Sequence, residues 1–492
     1  MTMPIYPASD LRRIEQAAGA VTPTLMERAG LAAAGFARGL IADGSKDVLV
    51  LAGPGNNGGD AYEAAVRLKE WFYRVHLVSP ADPAKLPPDA QRAHAKWRTG
   101  GGEILTGIPA NVRWGLVIDG LFGVGRIRAV ESEYARLIEF ANAQSCPVLA
   151  LDIPSGIESD TGRVLGCAVR ATHTLTFIAH KPGLLTLDGP DYCGELHVDG
   201  LGLDVDQLLA PAAWIAAPEL FSASLGPRLR RFHKGDAGSV GILGGATGMT
   251  GAALLAARAA LKLGAGRVYC GMLEAHAQHI DPLAPELMLR GPDEVLGLDL
   301  DALVVGPGIG QGERAETLLG AALTEDIPCV LDADALNLLA ENEGLQGACA
   351  RRAAHTILTP HPGEAARLLG GTIAEVQKHR VAAAHAMRDK FGAHVLLKGN
   401  GSVLAAADGH WFINTSGNPG MASAGMGDVL AGMLGALLAQ KFTGEAALVL
   451  GAHLHGCAGD ALAANGVGPV GLTAGELIDP ARRIWNQWLC RR

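Results

Sequence analysis

Residues 46–71 read KDVLVLAGPGNNGGDAYEAAVRLKEW. Val48–Ala52 is a continuous apolar run of strand length, Ala61–Trp71 has helical spacing, and GPGNNGGD separates them at residues 53–60. A strand without polar alternation is buried on both faces, as in a parallel sheet. A Gly-rich turn from such a strand into a helix is the repeating unit of doubly wound sheets, where the helix N-terminus receives phosphates. The turn is not a Walker loop, since no Lys-Ser/Thr follows, and it is not G-x-G-x-x-G in strict spacing. It reads as a ligand-binding turn or as a plain strand-to-helix loop.

Working outward, residues 10–40 read as helices with a start near Pro23 or Thr24. Further strand-like runs are Val75–Ser79, Leu116–Asp119 and Val148–Asp152, the last two followed by GLFGVG and IPSG. Ligands of open parallel sheets lie beyond the carboxyl ends of the strands, so these loops should converge with GPGNNGGD. Asn57, Asp119 and Ser155 would then bring oxygen donors to one edge, where a hard cation could sit. A lone strand-end Asp also serves commonly as a turn or cap residue.

After about residue 200 the pattern loosens into prolines without a sustained period, which places a boundary between domains at 1–215 and 225–492. A second strand–helix series follows. HKGDAGSVGILGG (233–245) reads as a strand ending in glycines and TGAALLAARAALKLGAG (250–266) as a helix with small residues on one face. Arg267–Gly271, Leu303–Gly306, Cys329–Asp332, Thr356–Thr359 and Val395–Lys398 read as strands alternating with helices, as a largely parallel sheet requires. Their ends carry GPGIG (306–310), LDADALN (331–337), LTPHPGE (358–364) and KGNGS (398–402). NTSGNPGMASAGMGDVLAG (414–432) then leads a Gly-rich loop into a helix read at Val429–Leu438. A helix start of this kind attracts anions, and Asp428 stands in it as either the N-cap or a base.

Composition narrows the class. With 492 residues, two or three domains are expected. Half the residues are apolar, which excludes a disordered chain. The 66 glycines, about twice the usual share, suit many tight strand-to-helix turns. A net charge of −9 without a basic run argues against nucleic acid as a partner. The start, MTMPIYPASDLRRIEQ, lacks a basic segment before an apolar core, and no uncharged apolar run reaches a membrane span. Eight cysteines without C-x-x-C fit reduced thiols. The expectation is a soluble cytoplasmic α/β protein with no membrane association.

The motifs as a set carry a family resemblance. The first half resembles NAD(P)H-hydrate epimerases through GPGNNGGD, DGLFGVG (119–125) and LDIPSG (151–156). The second resembles ADP-dependent NAD(P)H-hydrate dehydratases through HKGDAG (233–238), TGAALLA (250–256), GPGIG, LTPHPGE, KGNGS and NPGMASAGMGDVLAG (418–432). Together they resemble the bifunctional NAD(P)H-hydrate repair family nearly end to end. The resemblance implies two three-layer αβα domains, Rossmann-like and then ribokinase-like. It also implies epimerisation of R and S NADHX and NADPHX, followed by ADP-dependent dehydration of the S form, in a homo-oligomer.

By position, the resemblance implies that Asn56, Asn57, Gly58, Gly59, Asp60, Gly123, Val124, Gly125, Arg126, Ile127, Arg128 and Ala129 bind the epimerase substrate, with Asp152 beside the reacting ring and taking part in proton transfer. Asn57, Asp119 and Ser155 would ligate K⁺. In the second domain Ala252, Gly308, His361 and Asp428 would face the hydrated dinucleotide, with Asp428 as base. Lys398, Gly399, Asn400, Gly401, Ser402 and Gly427 would hold the nucleotide, and Mg²⁺ would accompany the ADP. Two departures stand out: Ala61 follows NNGGD where the family usually has Gly, and YEAAVRL (62–68) differs from the usual form. A tolerated extra methyl that narrows the cleft is the expectation. The competing readings are a small-molecule kinase fused to a nucleotide-binding domain and a non-catalytic dinucleotide sensor. A hydride-transferring dehydrogenase ranks below them, because no G-x-G-x-x-G with a downstream ribose-binding acid is present.

Overall fold

The structure, a computed structural model, describes residues 2–41, 47–125, 128–277 and 279–490. It divides into two compact units, Met3–Ala213 and a second built from Trp214–Arg492 together with the first two residues.

In the first unit seven strands form one sheet. Their order is Ile104–Leu105, Val75–Val78, Asp47–Ala52, Trp114–Gly120, Val148–Leu151, His173–Phe177 and Glu195–Asp199. Neighbouring strands are parallel throughout. Successive residues of the central strand enter opposite cores, as the two-residue strand period demands. Val48, Val50 and Ala52 pack with the helices Leu25–Leu40 and Asn56–Glu70, whereas Leu49 and Leu51 pack with Ser132–Asn142. The result is three layers. Strand order reverses between Asp47–Ala52 and Trp114–Gly120, so the loops leaving these two strands open onto one crevice. Glycine is obligatory at that crossing, where a Cβ on Gly53 would lie 1.7 Å from the Leu121 carbonyl oxygen. One on Gly58 would lie 2.1 Å from the Gly53 oxygen.

Three strands of this sheet, Ile104–Leu105, His173–Phe177 and Glu195–Asp199, are not foreseen from the sequence. HTLTF alternates polar and apolar residues like a half-exposed strand, yet Thr174 and Thr176 are fully buried. Their hydroxyls are paired inside, Thr174 Oγ1 donating to the Cys193 carbonyl at 2.7 Å and Thr176 Oγ1 accepting from Lys181 at 2.6 Å.

The second unit carries a ten-stranded sheet. It runs Met288–Arg290, Arg267–Met272, Ser239–Gly244, Ala302–Val305, Cys329–Leu331, Thr356–Leu358, His394–Leu397, Ser402–Ala405, Trp411–Asn414 and Ala213–Ile215. Pairing is parallel up to His394–Leu397. It becomes antiparallel in the hairpin Ser402–Ala405 and Trp411–Asn414, which the sequence reading also lacks. Val304 packs under Gly435 of the helix Met426–Ala439, while its neighbour Leu303 faces Gly241 and Val295 on the other side. Both faces are therefore covered, and the topological reversal falls between Ser239–Gly244 and Ala302–Val305.

Met426–Ala439 is the central helix, buried almost throughout. It packs against Thr250–Lys262 at Gly432, where a Cβ would lie 2.0 Å from the Ala256 carbonyl oxygen. Overpacking of this kind typically costs about 1–3 kcal/mol, partly offset by the roughly 1 kcal/mol better helix propensity of Ala. Gly432→Ala should therefore lower the unfolding midpoint of this unit in urea while leaving the first unit unchanged. Gly444–Ala464 is long and apolar enough by length and composition to cross a membrane, but Glu445, His453, His455 and Asp460 interrupt its apolar run. Its Leu448, Leu450, Leu454 and Ala458 are instead embedded in the core against Met426–Ala439.

Candidate functional site

In the first unit the loops after the central strands surround a cleft of about 870 Å³. Asn56, Asn57, Asp60, Gly123, Val124, Gly125, Arg128 and Asp152 line it, as the sequence leads one to expect. Gly58 and Gly59 do not; Gly58 packs on the Gly53 oxygen and Gly59 on Met26 and Ala90. Ala129 is exposed outside the cleft, and Arg126 and Ile127 lie outside the described residues. Ala61 is fully buried with its methyl against Gly120, so the substitution fills core space and does not narrow the cleft.

Behind the cleft Asp119 and Ser155 are interlocked. Ser155 Oγ donates to Asp119 Oδ1 at 2.6 Å, and the Ser155 and Leu121 amides donate to the same carboxylate at 2.8 and 3.2 Å. Burial raises the Asp119 carboxyl to about 6 against the opposing pull of these hydrogen bonds. Asn57 is also buried, and neither its amide oxygen nor its amide nitrogen has a hydrogen-bond partner. An orphaned buried amide is costly and calls for a ligand. Its backbone oxygen packs beside Gly120, which places it next to the Asp119 strand end.

Asp152 adopts the left-handed region at φ 66, rare for a residue with a side chain. Its Oδ2 faces Gly123, where a Cβ would lie 3.1 Å away, with the Asn57 Cβ 3.3 Å from that same point. Its Oδ1 lies 2.5 Å from the ammonium of buried Lys181, a residue the sequence reading missed. The signal was HKPG at 180–183, directly beyond the unread strand His173–Phe177. Asp60 and Glu15 complete an acidic wall. Burial first, and then the charge of Asp152, raises both carboxyls, and Lys181 opposes the shift.

In the second unit the strand-end motifs meet as the topology requires. Gly308 sits against Met249 and Ala252, and Gly306 against the Asp332 backbone. The Gly310 amide donates to Asp334 at 3.0 Å. The helix Met426–Ala439 begins at Gly425, φ 89, with no side chain capping it. Asp428 is thus not the N-cap but a first-turn carboxylate, and the leading N–H groups, without partners inside the helix, are the kind of donors an anion takes. Above them a Cβ on Gly427 would lie 3.0 Å from the Lys398 ammonium and 3.3 Å from Asp332.

Lys398 pairs with Asp332 at 2.9 Å, and the same oxygen accepts the Thr359 hydroxyl at 2.8 Å. Burial would lower the Lys398 ammonium, but Asp332, Glu364 and Asp428 outweigh it and the net shift is upward. The KGNGS loop is clamped from below by buried Arg380, which donates to the Leu397 and Lys398 carbonyls at 3.3 and 3.2 Å. Its guanidinium fills the space a side chain at Gly399 would need. Ser402 closes the turn by donating to the Gly399 carbonyl at 3.0 Å, and Asn400 is exposed at its tip. His361 caps the helix Pro362–Leu369, accepting from the Gly363 amide at 2.9 Å, while Glu364 accepts from the His361 amide at 2.8 Å. Burial lifts Glu364 to about 7. Asp332, Thr359 and Glu364 belong to motifs legible in the sequence, but their mutual contacts were not.

Burial and then Asp332 raise Asp428 to about 6, with Lys398 opposing. If this carboxylate acts as a base it must be ionised, so kcat/KM of the reaction at this site should fall as pH drops through about 6. The stability sign is opposite. A carboxyl raised on folding stabilises the folded state at low pH, and that contribution is lost as pH rises from the unfolded value of 3.8 through about 6. Paired pH profiles of rate and of urea midpoint check both directions.

Both units have counterparts among known proteins. Residues 22–183 match the family model described as YjeF-related protein N-terminus, and residues 240–481 match that of NAD(P)H-hydrate dehydratase. The bifunctional NAD(P)H-hydrate repair enzyme of Escherichia coli (strain K12) is 39% identical over 510 residues, covering 98% of this chain and 94% of that one. Its counterpart in Coxiella burnetii is 37% identical and covers 97% and 98%. A crystal structure of the ADP/ATP-dependent NAD(P)H-hydrate dehydratase of Bacillus subtilis, co-crystallised with ATP and Mg²⁺, is 30% identical with a TM-score of 0.49. It matches 56% of this chain and 98% of its own. With both halves matched in order by these family models, and nearly the whole chain by the Escherichia coli and Coxiella burnetii enzymes, the chain belongs to the bifunctional NAD(P)H-hydrate repair enzyme family.

Proposed function

We propose that the first unit interconverts the R and S forms of hydrated NADH and NADPH, and that the second dehydrates the S form at the expense of ADP. The observation that carries the second half is Asp428. A carboxylate raised to about 6 stands in the first turn of an uncapped helix, with the Lys398 ammonium above that turn.

Asp428 takes the proton of the C6 hydroxyl as its oxygen attacks the β-phosphorus of ADP. The O–P bond forms, the bridging P–O bond breaks, and AMP leaves. The open N–H groups of Gly427 and its neighbours, with Lys398, balance charge on the transferred group. Phosphate then departs from C6 as the ring nitrogen lone pair pushes, and loss of the C5 proton restores the dihydronicotinamide. Lys398–Ser402 and Gly427 hold the AMP portion, and Ala252, Gly308 and His361 face the dinucleotide. Mg²⁺ would accompany the ADP and neutralise phosphate charge, and the carboxylates at the mouth are the donor type that could hold it.

In the first unit Asp152 takes part in proton transfer, and Asn57, Asp119 and Ser155 hold K⁺. The fit rests on the orphaned Asn57 amide oxygen beside a buried carboxylate and hydroxyl, an all-oxygen donor set. When bound, the ion supplies a fixed positive charge that orders these loops.

The test mixes the protein with both NADHX epimers, ADP, Mg²⁺ and K⁺. It follows absorbance of the reduced nicotinamide and release of inorganic phosphate. Conversion of both epimers with one phosphate per NADH supports the reading. A stable phosphorylated product would make the second unit a kinase, and an R epimer that disappears only at the spontaneous rate would remove the epimerase.

A further inference from the structure

Lys181 has no part in the scheme above, yet it is the only fully buried lysine or arginine among the described residues lining the cleft. Its ammonium is 2.6 Å from Thr176 Oγ1, 2.8 Å from the Phe177 carbonyl and 3.4 Å from the Ala179 carbonyl. The remaining contact is Asp152 Oδ1 at 2.5 Å. Withdrawing an ammonium from water is expensive unless every N–H has an acceptor, and an apolar residue would fill such a place more cheaply. The acceptors from the end of the strand His173–Phe177 and the loop after it hold the charge in one position, and among the described residues the group it pairs with on the cleft side is Asp152.

The consequence is geometric. The backbone of Asp152, strained into the left-handed region, turns the carboxylate off the strand end and into the cleft. Lys181 ties down Oδ1, while Oδ2 faces the opening left by Gly123 beside Asn57. Glu15 and Asp60 line the same cleft without an ion pair of their own among the described residues. The pair thus distinguishes one carboxylate of three and one oxygen of that carboxylate.

We infer that Lys181 is the positioning residue of the epimerisation site, holding Asp152 by Oδ1 so that Oδ2 is presented to the substrate as the proton acceptor. The step balances within one turnover. The substrate O–H bond breaks as one forms on Oδ2, and the C6–N1 bond breaks as the C6 carbonyl forms, leaving its electron pair on N1. Addition of N1 to the other face of that carbonyl, with return of the proton from Oδ2 to the oxygen, gives the other epimer. This inference rests on the reading of the cleft as the epimerase site.

The test measures R-to-S conversion by chromatography in the full-length protein, with dehydration of the S form by the same chain as internal control. Lys181→Met should lower the kcat of epimerisation by about 10²-fold, the size of one acid–base contribution, with KM held within about threefold. The double variant Lys181→Met/Asp152→Asn should be no slower than Asp152→Asn alone, because a residue acting through another adds nothing once that partner is gone. Multiplicative losses, or a Lys181→Met protein with wild-type kcat, would overturn the inference. Should Lys181→Met fail to fold, Thr176→Val keeps both charges and removes one anchor of the ammonium. It should lower kcat several-fold at unchanged KM, and an unchanged kcat would again overturn the inference. A wild-type chain that leaves the R epimer untouched would instead overturn the reading of the cleft, and the inference with it.

Discussion

Asp428→Asn should reduce ADP-dependent dehydration by about 10³-fold, within the range a general base contributes, while epimerisation by the same molecules continues at the wild-type rate. Asn keeps the size of the side chain and removes its capacity to take a proton. The helix start itself should survive, because Gly425 and not Asp428 occupies the N-cap. Removing a carboxylate from an anion site also relieves repulsion, so ADP should bind as well or better. The pattern to look for is a collapse of kcat with an unchanged or lower KM for ADP. A rise in KM with kcat intact would mean that Asp428 positions substrate and takes no proton.

Lys398→Met should have the largest effect on stability, about 3 kcal/mol, the usual penalty for leaving a buried charge without its partner. Asp332 is 1% exposed and would be left with only the Thr359 hydroxyl. Urea unfolding followed by a signal confined to the second unit should show a lower midpoint with little change in slope. Adding Asp332→Asn should recover much of the loss, since the uncompensated charge is then gone. Dehydration should stay impaired in the double variant, because the ammonium above the helix start is absent in both. Full recovery of activity together with stability would make Lys398 purely structural.

Ala61 shows how far a motif alone can mislead. As a departure from the pattern after NNGGD it pointed to the cleft, but the side chain turns inward against Gly120. A helix has 3.6 residues per turn, so one step along it moves a side chain by about 100° and out of the cleft. His361 teaches the opposite lesson. The family resemblance implies that it faces the dinucleotide, and the structure adds a capping role for the next helix.

The sequence by itself determined the two largely parallel sheets, the strand ends where the loops gather, and the presence there of Asn57, Asp119, Asp152, Lys398 and Asp428. These follow from continuous apolar runs, Gly-rich turns and helical spacing, which are local properties of the chain. It did not reach the strands whose buried polar side chains are paired from elsewhere, such as Thr174 and Thr176, nor the short hairpin Ser402–Ala405 and Trp411–Asn414. Tertiary structure alone decided the partners. Lys181 meets Asp152 at 2.5 Å across 29 positions, and Lys398 meets Asp332 at 2.9 Å across 66. The physical reason is that charge pairing and desolvation act through space over a few ångströms, whereas periodicity in sequence reports only which way a side chain faces.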